Sequence, residues 1–364
     1  MYKKLLFLVL FLLFSPLISF AQEAGDIILQ ARVTEITEQK VNILPDGKKV
    51  EQQNLKLEIL EGEQKGEIVD FEGIGNFDVV KKNFYKVGDK VILDASTNAS
   101  GETNYYITDY VRTPGLLYLF ILFCLILFFV GGVRGVRSLV SLVISFLIII
   151  KFIIPKIIAG SNPFLITILG SFIILLAVIY ITEGFNKRSH VSVLSIFISL
   201  ILTFLISSFF VSLTKLSGLA SEETMFLISF SEQVINFKGL LLAGIIIGAL
   251  GVLDDVVISQ VVAVEQIVEA NPEQDRKQIF KRAYEVGISH INSMTNTLFL
   301  AYAGASLPLL ILFLSGESAF SSWGQIINNE AIATEIVRTL TGSIGLITAV
   351  PISTFIATKV FQKK

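Results

Sequence analysis

Long apolar runs are the feature of this sequence that most constrains its fold. After residue 113, apolar residues follow one another in several stretches of about twenty. A helix of about twenty residues crosses the roughly 30 Å hydrocarbon core of a bilayer. Hydrophobic residues make up 53% of the 364 residues and charged residues only 16%, which excludes an ordinary soluble globular protein. The sequence therefore predicts a multi-pass membrane protein.

The apolar runs predict an all-α bundle of about seven transmembrane helices in residues 113–364, with spans at about residues 114–133, 138–158, 163–181, 191–213, 239–264, 287–314 and 336–360. Lys and Arg residues are enriched in cytoplasmic connections. If the part before the first span lies outside, the inner connections and the tail hold 11 Lys and Arg residues, against 3 in the outer connections. This count predicts a cytoplasmic C-terminus.

Residues 1–21 have the pattern of a secretory signal peptide. Lys3 and Lys4 give a positive start, an apolar segment follows, and Ser19-Phe20-Ala21 supplies a small-x-small ending. We predict cleavage after about Ala21, and the alternative is an uncleaved first span. Either interpretation places the next part of the chain outside the cytoplasm.

Residues 22–112 predict a small extracytoplasmic β-rich domain. Residues 27–36, 54–59 and 66–71 are β-branched or alternate with period two, and turn residues separate them. Five or so strands in about ninety residues favour a closed or partly closed barrel similar to an OB-fold. Some OB-folds bind nucleic acid through aromatic side chains and a basic groove. This domain has 17 acidic against 11 basic residues, so no nucleic-acid partner is expected.

The fifth and sixth predicted spans carry polar residues within otherwise apolar runs. Ionisable groups at such depth are costly and tend to face a partner or a water-filled cavity. The two helices are antiparallel, and Asp254 and Asn296 both lie roughly 14 to 15 Å from the inner ends at 1.5 Å per residue. We therefore predict a transport or ion-binding site formed by Asp254, Asp255, Gln260, His290, Asn292, Ser293 and Asn296.

Each group has an expected role in that site. An aspartate would carry a cation or a proton together with His290, and the amides would supply neutral oxygen ligands. The alternative is that these polar groups only hydrogen-bond helices to one another. Their spacing identifies no particular metal, and no cofactor is expected.

Small residues and one proline predict close packing and a break. Gly248 and Gly251 would let another helix approach closely. Pro308 follows the small-residue run that contains Gly304, and proline removes a helical hydrogen bond. A kink or broken helix is expected there, and it would line a cavity.

Motifs of enzyme chemistry are absent from the sequence. There is no P-loop, no G-x-S-x-G and no H-E-x-x-H. An intramembrane aspartyl protease needs two carboxylates on separate helices, whereas Asp254 and Asp255 are neighbours. The protein is therefore not expected to be an enzyme.

Three segments resemble a known family. Residues 248–255 contain Gly-Ala-Leu-Gly and the two aspartates, residues 292–298 read Asn-Ser-Met-Thr-Asn-Thr-Leu, and residues 301–308 read Ala-Tyr-Ala-Gly-Ala-Ser-Leu-Pro. Together they resemble the YibE/F-like family of bacterial multi-spanning membrane proteins over about residues 115–360. The resemblance implies a plasma-membrane protein of a family described as permeases without a settled substrate.

Two functional hypotheses follow. The first is a permease or secondary transporter that moves an unidentified small solute or cation along existing gradients. The alternative is a non-transporting scaffold or envelope assembly factor that acts through the exported domain. The lipid bilayer is a partner in both, and self-association into a homo-oligomer is left open.

Overall fold

A computed structural model describes residues 27–43, 49–74, 84–97, 103–230, 235–315 and 322–362. The predicted signal peptide lies outside these residues. The described residues belong to two compact units, and the chain passes from one to the other between Val130 and Gly131.

The first unit contains one five-stranded antiparallel sheet, made of β1 (Ile27–Ile43), β2 (Lys49–Ile59), β3 (Ile68–Glu72), β4 (Lys90–Thr97) and β5 (Thr103–Tyr110). The strand order is β3-β2-β1-β4-β5. The central strand β1 pairs with both β2 and β4, and its register against β2 shifts twice. Such bulges bend a strand and strengthen its twist. The expected β-rich domain is thus present.

The sheet has one buried face, as period-two alternation requires. Leu55, Leu57 and Ile59 of β2 pack with Val91 and Leu93 of β4 in one apolar cluster. Residues between them point to the other face.

The edge strands β3 and β5 approach one another without closing a barrel. The Tyr105 hydroxyl on β5 lies 3.2 Å from Oε1 of Gln64, which precedes β3. Among the described strands no ladder joins β3 to β5. The sheet is therefore open, and the similarity to an OB-fold stays a prediction.

The remaining described elements are helices: α1 (Thr113–Ile148), a π-helical turn (Ile149–Ile153), α2 (Ile154–Ile158), α3 (Pro163–Thr182), α4 (Lys187–Leu213), α5 (Glu222–Phe230), α6 (Phe237–Ala270), α7 (Arg276–Ala305), α8 (Leu307–Leu314), α9 (Trp323–Asn328) and α10 (Glu330–Phe361). They agree with the prediction of a mostly helical membrane part.

Five described helical segments are long and apolar enough to cross a membrane, or six if the bent pair of α7 and α8 counts as one span. The chain is therefore a multi-pass membrane protein. The first segment runs from Thr113 to Ile158 without interruption by a loop. Gly132 inside it has φ 54° and ψ −130°, which is not helical. The predicted count of seven depends on a chain reversal at this residue.

The second unit is organised around α4, α6 and α10, which pack against one another. Apolar residues such as Ile196, Ile246 and Ala349 fill the space between them. Gly345 of α10 has no room for a side chain because Thr203 of α4 occupies that position. Small residues at such crossings let two helices approach closely.

Polar contacts hold both ends of this bundle. At one end, Arg188 of α4 forms an ion pair with Glu265 of α6, at 2.5 Å between Nη2 and Oε2. At the other end, the backbone N–H of Ser217 donates to Oε1 of Glu330 at 2.6 Å. The start of α4 thus lies with the end of α6, and the end of α4 with the start of α10.

Candidate functional site

Gln260 joins three helices in the bundle. Its Nε2 donates to the carbonyl oxygen of Ala283 on α7 and to Oγ1 of Thr354 on α10, each at 2.7 Å. The hydroxyl of Thr354 donates in turn to the carbonyl oxygen of Val350. Gly287 leaves space for this amide, because a Cβ there would lie 2.9 Å from Gln260 Oε1. Both N–H groups of the buried Gln260 amide therefore donate to other groups of the protein.

The two aspartates lie one to two helical turns from Gln260 and face different surroundings. Asp254 is partly buried, whereas Asp255 is exposed on the described structure. Asp255 shares its exposed face with Gly251 and Ser259. A Cβ at Gly251 would meet no described atom within 4 Å, so none of the described helices packs against Gly251. Gly248, one turn away, is close to the Tyr302 hydroxyl, which would lie 3.0 Å from a Cβ.

The predicted partners on α7 form an exposed polar surface. His290, Asn292, Ser293 and Asn296 are all exposed. No hydrogen bond or ion pair connects these side chains to Asp254 or Asp255 in the part of the chain that the structure describes. The structure thus places the acids on α6 and the amides on α7 without joining them. Among these predicted site residues, Gln260 is the one that hydrogen-bonds from α6 to α7.

The expected break in the sixth predicted span lies at Ser306. The axes of α7 and α8 differ by 63°. The Ser306 N–H donates to the carbonyl oxygen of Tyr302, and Pro308 occupies the first turn of α8. A proline fits this position because it has no N–H to donate. Gly304 is exposed, and a Cβ added there would meet no described atom within 4 Å.

A cavity of about 210 Å³ lies beside this break, lined by Phe299, Tyr302, Ala303, Ser306, Leu310, Ile332, Glu335, Ile336, Thr339 and Leu340. Most of its wall is apolar. Glu335 is the charged residue among those that line it, and its carboxylate accepts from Nη1 of Arg338 at 2.9 Å. Both charges are held on α10, an apolar helix, where an unpaired charge would be costly.

A second cavity of about 530 Å³ lies at the same end of the bundle, between the end of α4 and the start of α10, and it is lined by Leu213, Thr214, Lys215, Leu216, Ile327, Asn328, Glu330, Ala333, Ile336 and Val337. Ile336 lines both cavities. The first turns of α10 therefore separate two hollows.

Sequence reasoning missed two polar features. One is the Glu335–Arg338 pair, whose i, i+3 spacing on an apolar run could have been noticed. The other is a buried row on one face of α4, formed by Ser189, Ser192, Ser195, Ser199, Thr203 and Ser207. The row recurs every three or four residues, which is the helical period. Its hydroxyls at Ser195, Ser199 and Thr203 donate to carbonyl oxygens one turn earlier.

Comparison with protein families agrees with this architecture. The YibE/F-like protein family matches residues 119–363, and the YibE/F family N-terminal domain matches residues 28–110. The chain belongs to the YibE/F-like family. The predicted resemblance is thus confirmed, and the family N-terminal domain covers the five-stranded sheet of this YibE/F-like protein. No curated protein and no solved structure matches the chain.

Two places in this YibE/F-like protein offer polar groups to a solute. The exposed carboxyl of Asp255 and the amides of Asn292 and Asn296 offer oxygen ligands or proton acceptors within long apolar helices. The cavity beside the helix break offers one carboxylate and two aromatic rings. Within the described residues no group of three or more His, Cys, Asp or Glu side chains could hold a metal ion.

Proposed function

We propose that this YibE/F-like protein is a permease or secondary transporter for a small solute or cation, without enzymatic activity. One observation carries the proposal: the exposed polar residues of α6 and α7 lie in apolar membrane helices, and α7 breaks beside a cavity. Discontinuous helices that meet a polar site are a recurrent feature of secondary transporters. Polar side chains in a span favour protein or water over lipid as neighbours.

The proposed pathway would run past the exposed carboxylate of Asp255 on α6 and the exposed amides of Asn292 and Asn296 on α7. Asp255 would hold the cation or proton, since its carboxylate is exposed. Asp254 would tune its charge as a sequence neighbour. His290 and Ser293 would complete the site from α7. Gln260 would act on the same site as a fixed anchor, because its amide already bonds to α7 and α10.

The orientation and span count belong to the same proposal. We propose seven spans, with a chain reversal at Gly132, the β-sheet domain outside and the C-terminus in the cytoplasm. The non-helical backbone of Gly132 supports a reversal there. The excess of Lys and Arg in the alternate connections supports the orientation.

Flux through proteoliposomes tests the proposal. The full-length protein is reconstituted and assayed against a panel of ions and small solutes, with Asp255→Asn as the test variant. Glu269→Gln is the matched control, because Glu269 is exposed near the end of α6. We expect flux in the wild type and the control, and at least a tenfold loss in Asp255→Asn. Flux at liposome background in all three would remove the proposal.

The scaffold alternative has one observation in its favour. Ile28, Ile68 and Tyr106 lie on the face of the sheet opposite its core and are 62%, 64% and 42% exposed. Exposed apolar side chains can form part of a protein interaction surface. Crosslinking in membranes from photoreactive residues at these three positions tests it. Capture of the same envelope protein from all three positions, without flux, would favour the scaffold.

A further inference from the structure

The cavity beside Ser306 has the chemistry of a cation site. Glu335 is the charged residue among those that line it, and the aromatic rings of Phe299 and Tyr302 lie on the wall as well. Aromatic faces attract ammonium groups through the ring quadrupole, most strongly where water is excluded. Apolar walls around a single carboxylate and two rings suit an organic cation better than a hydrated metal ion.

The Glu335–Arg338 pair leaves one oxygen of this carboxylate available to a ligand. The hydrogen bond uses Nη1 of Arg338 and Oε1 of Glu335, at 2.9 Å. A carboxylate has two oxygens and about four acceptor positions, so Oε2 remains able to accept.

The size of the cavity suits a small ligand group. Its volume is about 210 Å³, and it is partly open to its surroundings. A small primary or quaternary ammonium group can therefore enter it, either alone or as part of a larger molecule.

We propose that this cavity binds a small organic ammonium group, with Glu335 as its counter-ion and Phe299 and Tyr302 as its aromatic walls. Neither Asp254 nor Asp255 is among the residues that line the cavity. Its occupancy does not depend on transport, so the proposal goes beyond the proposed function.

The ammonium group has two chemically equivalent sources. One is a free small amine that enters from solution. The other is the ethanolamine headgroup of a phospholipid whose tail lies in the bilayer. Both present the same cation to Glu335.

Equilibrium binding to the full-length protein tests the proposal. Calorimetry in a detergent without ammonium groups compares choline with 3,3-dimethylbutan-1-ol, its neutral isostere. We expect choline to bind at least tenfold more tightly than the neutral alcohol, because only choline carries the charge. Equal affinity of the two compounds, or no binding of choline, would overturn the assignment.

Single substitutions in the cavity wall test whether choline binds there. Glu335→Gln removes the counter-ion, and we expect at least a tenfold loss of choline affinity. Phe299→Leu removes one ring and is expected to weaken binding about threefold to tenfold, from the usual strength of cation–π contacts. The matched controls are Glu222→Gln and Phe355→Leu, which alter exposed residues away from the cavity. Unchanged affinity in both test variants would contradict the site.

A second variant covers the case in which Glu335→Gln fails to fold. If Glu335→Gln does not fold because Arg338 loses its partner, the double variant Glu335→Gln/Arg338→Gln removes both charges, and it should also lose choline binding.

The source of the ammonium group is tested in lipid nanodiscs. Nanodiscs of phosphatidylglycerol alone are compared with nanodiscs that also contain phosphatidylethanolamine. Weaker choline binding in the second would assign the ammonium to the lipid headgroup. Equal binding in both would assign it to the free amine.

Discussion

Two glycines of neighbouring helices show how differently one residue type is used in this protein. Gly287 of α7 lies against Val350 and the amide of Gln260, so a methyl group there has no room. Gly251 of α6 faces open space on the described structure. The first glycine fixes how closely α7 approaches the bundle, and the second leaves room that the described helices do not fill.

We expect Gly287→Ala to destabilise the protein by about 1–3 kcal/mol, because overpacking forces side chains and backbone to shift. Gly251→Ala is the matched control and should change stability by less than about 1 kcal/mol, since alanine favours helices. Unfolding of both variants in a denaturing detergent measures the difference. An equal loss in the two variants would show that α7 does not pack as described.

Tyr85 makes a pH-dependent contribution in the sheet domain. Burial raises the pKa of Tyr85 to about 12, with smaller contributions from Tyr110 and Asp109. A raised folded-state pKa means that the neutral phenol is favoured in the fold. Its contribution is complete below the ordinary value of about 10 and is lost as the pH rises through about 12.

The Tyr85 hydroxyl is buried without a hydrogen-bond partner among the described residues, so Tyr85→Phe should be neutral or slightly stabilising at pH 7. Between about pH 10 and pH 12 the variant should become more stable than the wild type, because it has no proton to lose. Unfolding of the two full-length proteins across this range tests the expectation. Parallel stability curves would place the phenol in contact with solvent.

At this scale the sequence identified which polar residues lie in the apolar helices but not their partners. Gln260 was expected as an oxygen ligand for a solute, and the sequence did not show that its Nε2 donates to Ala283 and Thr354. A one-dimensional pattern shows helical faces, and it does not show which face meets which neighbour. The rotation of α7 about its own axis decides that the amides of Asn292 and Asn296 are exposed.

At the scale of elements, the α7–α8 break is the feature that most affects the proposed function. The bend of 63° at Ser306 brings Ala303 and Leu310 to one cavity wall. The sequence allowed this break to be expected because Pro308 cannot donate a hydrogen bond. The sequence did not reveal that Glu335 and Thr339 of α10 form the opposite wall, since a tertiary contact decides that.

Spin labels at Ile288→Cys and Leu314→Cys measure the bend, in a Cys124→Ser background. A straight helix would place these positions about 39 Å apart at 1.5 Å per residue. With the bend of 63° we expect a straight-line distance of about 34 Å between the helix-axis points of these two residues. Pro308→Ala should lengthen the distance towards the straight value. A distance of about 39 Å in the parent protein would contradict the broken helix.

In other elements, the hydrophobic periodicity predicts the strands correctly but does not predict where the first helix is interrupted. The strands β2 and β4 follow the alternation of their apolar residues because a half-buried sheet requires it. Residues 134–137 were expected to be a connection because of Arg134 and Arg137. The structure keeps them in α1 and places the non-helical backbone at Gly132. Gly131, Gly132 and Gly135 lie in this region, and the non-helical backbone comes two residues before the predicted connection.

At the scale of the whole molecule, the proposed orientation has a direct consequence. With seven spans, the sheet domain and the C-terminus lie on opposite sides of the membrane. An even number of spans would put both on the same side. The parity therefore depends on what happens at Gly132.

Reporter fusions determine this parity. A reporter active only outside the cytoplasm is fused after residue 112, and one active only inside is fused after residue 362. We expect both to be active. A third fusion at the Arg134 position should report the cytoplasm if the chain reverses at Gly132. Inactivity of the fusion after residue 362 would favour one continuous first span, because an even number of spans would put that end outside.

The proposed transport function requires above all that the exposed polar residues of α6 and α7 meet water and not lipid. The most direct test is chemical modification of single cysteines in intact membranes, in a Cys124→Ser background, with a membrane-impermeant thiol reagent. Asn296→Cys is compared with Leu205→Cys, which is exposed on the apolar helix α4. We predict rapid modification of Asn296→Cys and none of Leu205→Cys. Equal absence of modification at both positions would contradict a water-facing site.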